Sequence, residues 1–393
     1  MIDAVVASGA RTPIGRATRG MLRFARPEDM AAIVIKAAIE RAGAFDPALV
    51  DEVVFGCAMP EQEQGMNVAR IAALRADLPI SVPAVTVNRF CASGLEAIAI
   101  GAQRIAAGQC HIVVAGGVES MSLVPFDKSP VKPNPSLLAS YPDAYLSMGL
   151  TAENLAQQYA ITREDADDFS LESHQRALAA MADGRFDDEI VGVPVQFATF
   201  GSDGKLSSSS HVVDRDECPR AETSAAALAA LKPAFKPDGV VTAGNSSQRS
   251  DGAAAVVLMS PERARDLGVA PLGTFREYRV VGVPPETMGI GPAYAVPRLL
   301  HAANVELRDI RTVELNEAFA AQVLAVLKEF PMDRLKVNPN GGAVALGHPL
   351  GCTGARQAVT LLHRMRGGAG GLGIVSMCVG GGMGAAGLFE AAN

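Results

Sequence analysis

The chain reads as an α/β protein, mostly parallel sheet covered by helices, and two observations predict this. Short apolar β-branched runs alternate with longer helical patterns over residues 1–120, as strand–helix–strand units require. The last third then repeats that order. TVEL at Thr312–Leu315 matches the run at Val53–Gly56, and GIVSM at Gly373–Met377 matches Ile112–Ala115. Val53 and Val113 lie 60 residues apart, and Val313 and Val375 lie 62 apart, so the halves read as two copies of one fold packed together.

Ala4–Ala7 is expected as a strand, and Glu28–Ala42 as an amphipathic helix that closes at Gly43. Val53–Gly56 follows as a strand, Met66–Ala76 as a helix and Val82–Val87 as a strand. In Gly94–Ala107, residues Leu95, Ile98, Ala99, Ala102, Ile105 and Ala106 recur at helical spacing; Ile112–Ala115 is another buried strand. The character changes between about Glu119 and Gln248. Pro125–Pro142 holds five prolines, which exclude regular helix or central strand. Thr151–Tyr159 and Arg163–Asp183 read as helices, the second capped by Thr162 ahead of Asp165. Gly201–Ser210 reads as a Gly/Ser-rich loop, so the region is an excursion from the first α/β unit. Ala253–Met259 returns to buried strand; later, Lys336–Asn338 precedes a glycine-rich turn and a helix at Gly354–Met365.

With 393 residues, 49% of them hydrophobic, the chain exceeds one core and predicts two or three domains. A net charge of −7 without a Lys/Arg-rich run argues against nucleic acid as a partner, but leaves room for an anionic small molecule held by a few local cations. The six cysteines form no CxxC pair, which points to a reducing compartment and away from a metal site. The chain opens directly into a strand, and no apolar run approaches the ~18 residues of a membrane span. A cytoplasmic protein is expected.

Three stretches carry chemistry. VNRFCASGLEA (Val87–Ala97) puts Cys91 where a strand hands over to a helix, whose N-terminal N–H groups favour thiolate over thiol. NGGAVALGHPLGCTGAR (Asn340–Arg356) fixes His348 between Gly347 and Pro349; its five glycines in seventeen residues argue against a helix in the core. An imidazole held in this way is placed to act as a base. CVGGGMG (Cys378–Gly384) follows a buried strand and offers bare backbone N–H groups to an oxyanion. Asn316, in LNEAFA, ends a strand where its amide can orient a water or a carbonyl. The glycines of the last motif are half a dinucleotide loop, but no acidic residue follows at the needed distance, which excludes NAD. Cys57, Cys110 and Cys218 read as packing or surface residues.

These segments, with GGVESMS (Gly116–Ser122), MGLTAEN (Met148–Asn154) and TAGNSSQRSDGAAA (Thr242–Ala255), resemble the thiolase family almost end to end. The resemblance implies two similar α/β halves in a five-layer αβαβα core: residues 1–120 with 249–270, and residues 271–393. Residues 121–248 form an inserted loop domain. It further implies that Cys91 is the acylated nucleophile, His348 its base and Cys378 the second acid/base. Asn316, through a water, and His348 form one oxyanion hole; the N–H groups of Cys91 and Gly380 form the other. Ser247 matches a position beside the pantetheine arm of coenzyme A and Arg220 one near its nucleotide end. Met148, Met288 and Ala243 complete the substrate-facing set. Coenzyme A is then a co-substrate with no permanently bound cofactor, and a homodimer or homotetramer is expected.

The implied reaction is reversible cleavage of 3-ketoacyl-CoA to acetyl-CoA and a shortened acyl-CoA, as in fatty acid β-oxidation. NSSQRSDG and Ser147 ahead of Met148–Gly149 favour this form over an acetoacetyl-CoA thiolase running the condensation. A non-catalytic acyl-CoA binder is a further alternative, opposed by the intact Cys91, His348 and Cys378.

Overall fold

The computed structural model describes residues 3–43, 45–126, 132–200, 206–366 and 370–392. Its strands are β1 (Ala4–Arg11), β2 (Gly15–Arg16), β3 (Glu52–Gly56), β4 (Ala84–Val87), β5 (Ile112–Ser120), β6 (Val193–Phe200), β7 (Leu206–Val213), β8 (Ser250–Met259), β9 (Gly273–Gly282), β10 (Ile310–Leu315), β11 (Gly371–Val379) and β12 (Met383–Ala391). The N-terminal half has the order β4-β3-β5-β8-β1 and the C-terminal half β10-β11-β12-β9. They meet edge to edge where Ala4–Val6 pairs with Gly273–Phe275.

The pairing repeats between halves. β3 is parallel to β4 and β5, and β8 is antiparallel to both β5 and β1. Likewise β10 is parallel to β11, and β12 is antiparallel to both β11 and β9. Val337 bridges Val313 in parallel, taking the place that β4 has beside β3. Val53 pairs with Val114 and Val313 with Ile374, so the matched separations in the sequence do mark equivalent strand pairs.

Alternation along each strand separates the cores. Val53, Phe55 and Val114 face the helices Pro27–Arg41 and Val68–Arg75; Val54, Val113 and Ala115 face the centre. There the helices Ser93–Ala106 and Leu350–Met365 lie between the sheets, with Leu95, Ile98, Val359 and Leu361 packed against Val375 and Met377. The helices Gly291–Ala303 and Ala320–Glu329 cover the far face through Val296, Leu299, Val323 and Val326. The result is helix, sheet, helix, sheet, helix, the expected thiolase fold. Each large aliphatic side chain buried in these layers contributes about 1.5–3 kcal/mol.

The central helix of the C-terminal half corrects the sequence reading. It starts at Leu350, takes in Gly351 and Gly354, and is buried on nearly every side. Contact explains why the glycines, each costing about 1 kcal/mol against alanine in a helix, are retained. A Cβ on Gly94 would sit 2.8 Å from the Gly351 carbonyl oxygen, and one on Gly354 would sit 2.6 Å from the Leu95 nitrogen. The two central helices therefore cross backbone against backbone, just past the residues proposed for chemistry.

The intervening region differs from expectation at two further places. Pro135–Ser140 is a short helix within the proline-rich stretch; Pro135 occupies its first turn and Asn134 Oδ1 caps Ser136 and Leu137. Part of the expected Gly201–Ser210 loop is strand β7, paired with β6; residues 201–205 lie outside the described residues. The serines of β7 face solvent, while Val193, Val195 and Val213 join the N-terminal core, which holds the hairpin down. Arg11 on β1 ties the region to the sheet, donating to both oxygens of Asp216 at 2.7 and 2.9 Å and to Glu189 at 2.6 Å. All three are buried, so removing one partner would cost about 3–5 kcal/mol. Thr162 and Asp165 form the predicted capping box.

Candidate active site

Cys91 sits in the turn Phe90–Ala92, between β4 and the Ser93–Ala106 helix. Phe90 is left-handed (φ +43°), an unfavourable conformation for a large side chain. Neighbouring bonds hold it: Asn88 Oδ1 accepts the Phe90 N–H at 2.8 Å, while Ser93 Oγ donates to the Phe90 carbonyl at 2.7 Å and accepts the Arg89 N–H at 2.9 Å. The turn packs against β11 and the Leu350–Met365 helix. This sets the N–H groups of Gly380 and of Cys91 itself near enough to the Cys91 sulfur to favour its anion.

The expectation of a preformed thiolate is not met. Burial pushes the Cys91 thiol up to about 11, outweighing those two N–H donors, and the charge on Glu119 adds to the rise. Cys378, fully buried at the end of β11, is raised well above the usual thiol range by burial and by the proximity of Cys91. Both sulfurs rest as thiols.

His348 is also neutral. Burial, then the charge of Arg356, lower it to about 3. Thr353 Oγ1 donates to the Pro349 carbonyl (2.9 Å), so toward His348 Nδ1, 2.6 Å away, it acts as acceptor. That fixes the proton on Nδ1 and leaves a lone pair on Nε2. Asn316 Nδ2 approaches this nitrogen at 3.3 Å, while Asn316 Oδ1 is buried without a hydrogen-bond partner, as suits a group that orients a water. The His348 main chain is tied to the Gln248 carbonyl at 3.0 Å. Gly347, at φ +93°, leaves no room for a side chain; its Cβ would lie 2.2 Å from Ser250 Oγ.

The two groups meet through the sheet. The Asn316 N–H bonds to the Ser376 carbonyl, two residues before Cys378 on the adjacent strand. Met148 and Met288 pack in the apolar cluster that contains Cys378, with Phe319, Val241, Ala152 and Ala318. Met148 Sδ and the Phe90 ring approach Gly380.

Arg220 and Ala243 share a cleft of about 150 Å³ with His174, Gln248 and Val344. Gln248 links it to His348 through the main-chain bond above. The Arg220 Nη2 donates to Gln248 Oε1 at 3.3 Å, its main-chain N–H donates to His174 Nδ1 at 3.2 Å, and Nε has no partner. Burial and the Arg220 charge lower His174 to about 4, leaving the guanidinium as the cation of that corner. Ser247 contributes its N–H to the Ala318 carbonyl. Sequence reasoning missed His174, which lies in no motif, and Thr353. Thr353 lies five residues past His348, in the first turn of a helix, and that spacing was the available signal.

A thiol pair, a neutral imidazole with its lone pair on Nε2, a buried amide and two N–H groups beside a sulfur are the kinds of group that acyl transfer through a cysteine requires. Residues 4–262 match the family "Thiolase, N-terminal domain" and residues 269–391 match "Thiolase, C-terminal domain". The chain belongs to the thiolase family and is an acyltransferase. It is 51% identical over 390 residues to the 3-ketoacyl-CoA thiolase of Bacillus subtilis (strain 168), covering 99% of this chain and 100% of that one. The acetyl-CoA acetyltransferase of Bacillus anthracis superposes with a TM-score of 0.89 at 43% identity, covering 100% and 99% of the two chains. The dimeric peroxisomal thiolase of Saccharomyces cerevisiae gives 0.89 at 38% identity, covering 100% and 98%.

Proposed function

We propose that this thiolase cleaves 3-ketoacyl-CoA with coenzyme A, releasing acetyl-CoA and an acyl-CoA two carbons shorter, in fatty acid breakdown. The observation that carries the reading is the Cys91 sulfur lying under the N–H groups of Gly380 and Cys91, with a second thiol, Cys378, nearby. His348 Nε2 takes the Cys91 proton as the sulfur bonds to the substrate's C3. The alkoxide formed there is held by the two N–H groups. As the C2–C3 bond breaks, its electron pair passes to C2 and gives the enolate of acetyl-CoA. His348 and a water on Asn316 stabilise the enolate oxygen, and the Cys378 thiol protonates C2. The thiol of coenzyme A then gives its proton to the Cys378 thiolate and attacks the acyl-Cys91 thioester; Cys91 leaves and recovers its proton from His348. Neutral resting groups suit this scheme, because each proton moves only with the bond change it serves.

Coenzyme A would lie along Ser247, with the Arg220–Ala243 cleft taking its charged end. Met148 and Met288 would flank the acyl chain, their flexible thioethers adapting to its length. We assign residues 121–248 as the loop domain that completes this surface. A homodimer fits the edge strand β4, with Met66 90% and Ile80 82% exposed nearby. No helix among the described residues is long and apolar enough to cross a membrane. Six unpaired cysteines, all buried, suit a reducing compartment such as the cytoplasm.

The second reading, an acetoacetyl-CoA thiolase, draws support from the likeness to the Bacillus anthracis enzyme. Turnover measured on acetoacetyl-CoA and 3-ketodecanoyl-CoA decides between them. Comparable or faster cleavage of the longer substrate is expected; activity confined to the four-carbon one would sink the first reading. Mass spectrometry after mixing with acetyl-CoA should show one acetyl group on Cys91.

A further inference from the structure

We propose that Glu119 is a positioning residue for this reaction, whose buried carboxylate sets the His348 helix against the Cys91 helix. The proposal rests on the roles given above to Cys91 and His348. Glu119 lies near the end of β5, is fully buried and touches none of the reacting groups. Its Oε2 accepts the N–H groups of Ala58 and Gly351, both at 2.8 Å. Its Oε1 accepts Gln64 Nε2 at 2.7 Å and the Met59 N–H at 3.2 Å, and the Cys57 thiol lies 3.8 Å away. Gly351 belongs to the first turn of the helix that begins two residues after His348, where an anion is favoured by the unpaired N–H groups. One side chain therefore binds the ends of two N-terminal strands to the start of the C-terminal central helix.

The packing around Gly351 leaves that helix no second position. A Cβ on Gly351 would lie 2.7 Å from the Cys57 Cα and 2.8 Å from Glu119 Oε2. The Gly351 carbonyl oxygen is pressed between two other glycines: a Cβ on Gly117 would lie 2.0 Å from it, and one on Gly94, three residues after Cys91, 2.8 Å from it. The Cys91 helix, the His348 helix and the Glu119 strand thus meet at a single peptide. Glu119 supplies its directional bond; the glycines supply only contact.

The partners of Glu119 favour the ionised form but do not fully offset burial, which leaves the carboxyl above its ordinary range. Burial pushes it upward, but four N–H donors oppose that, and neither oxygen faces an acceptor that a carboxylic acid proton would need. Its charge reaches the thiols of Cys57, Cys91 and Cys352, raising each. Loss of the charge therefore has a signature that loss of packing lacks.

The test is Glu119→Gln in the full-length enzyme, measured for kcat, KM and the pH dependence of Cys91 alkylation by iodoacetamide. An amide of the same shape puts an NH2 group against N–H donors, so the helix start must shift. A displacement of about 1 Å predicts a loss of about 100-fold in kcat, with KM for coenzyme A nearly unchanged. The alkylation profile should move to lower pH. A kcat within threefold of the parent, or a lost kcat with the alkylation profile unmoved, overturns the proposal. Should that variant fail to fold, Gln64→Met removes one donor and keeps the charge. A drop of about tenfold in kcat at unchanged KM is then expected, and an unchanged kcat refutes the idea. If the parent enzyme itself takes no acetyl group on Cys91, the reading of the site fails instead, independently of either variant.

Discussion

The two halves of the molecule have the same strand pairing but divide the chemistry unequally. In each, a buried helix starts two residues after a candidate catalytic side chain, Cys91 before Ser93 and His348 before Leu350. The parallel continues at the strand ends. The C-terminal half places Asn316 just after β10, and Cys378 and Gly380 at the end of β11. The N-terminal half places Cys57 just after β3 and Glu119 near the end of β5, where Glu119 contacts the Cys57 thiol and accepts an N–H from the His348 helix. One copy thus carries candidate reacting groups at its strand ends, whereas the equivalent ends of the other serve as a support. A duplicated scaffold needs only one set of acid, base and oxyanion donors, and the second set of positions is free to hold the two halves in register.

Substitution at a strand-end cysteine of each half breaks that comparison most sharply. Cys378→Ala removes the proposed acid/base and should lower kcat by about 10²–10⁴-fold. Cys57→Ala should keep kcat within about threefold, because its thiol serves packing. Steady-state thiolysis assays on both variants check this; similar losses would show that the N-terminal strand end works in the chemistry too.

A smaller effect sharpens the account of the base. Thr353→Val leaves the His348 Nδ1–H without its acceptor, an unsatisfied buried donor worth about 1–3 kcal/mol, so kcat should fall about 10- to 100-fold. Solvent and pH effects on kcat would reveal whether the Nδ1-protonated form is still the one populated.

The smallest effect is on stability. His348 and His174 are both held below the ordinary histidine range, so between their folded values, about 3 and about 4, and about 6.5 the unfolded chain binds more protons. Stability should therefore rise with pH across that window and fall as the solution is acidified from about 6.5. Urea unfolding at a series of pH values measures the slope, and His348→Gln should make it shallower. An unchanged slope would mean that His348 is not buried as the neutral form.

Much of this was legible in the sequence, for identifiable reasons. Strand and helix periods are local properties, so the order of elements, the repeat and the Thr162 cap could be read directly. The glycine-flanked His348 and the cysteines after apolar runs also stood out, because the constraint on each lies in its immediate neighbours. What depended on contacts between distant segments could not be read. Gly351 looked like part of a turn ahead of the Gly354–Met365 helix, and only the crossing with Gly94 shows why it sits inside that helix. The serines of β7 looked like a loop until β6 supplied their partners.

The protonation of the site belongs to the same divide. A cysteine at a helix start predicts a thiolate from sequence, since the dipole is a local feature. Desolvation depends on how completely the rest of the chain closes over the sulfur, and here it prevails. The sequence by itself determined which groups could react and on which elements they ride. The tertiary structure decided their resting charge and their partners, because burial and long-range hydrogen bonds exist only once the halves have packed.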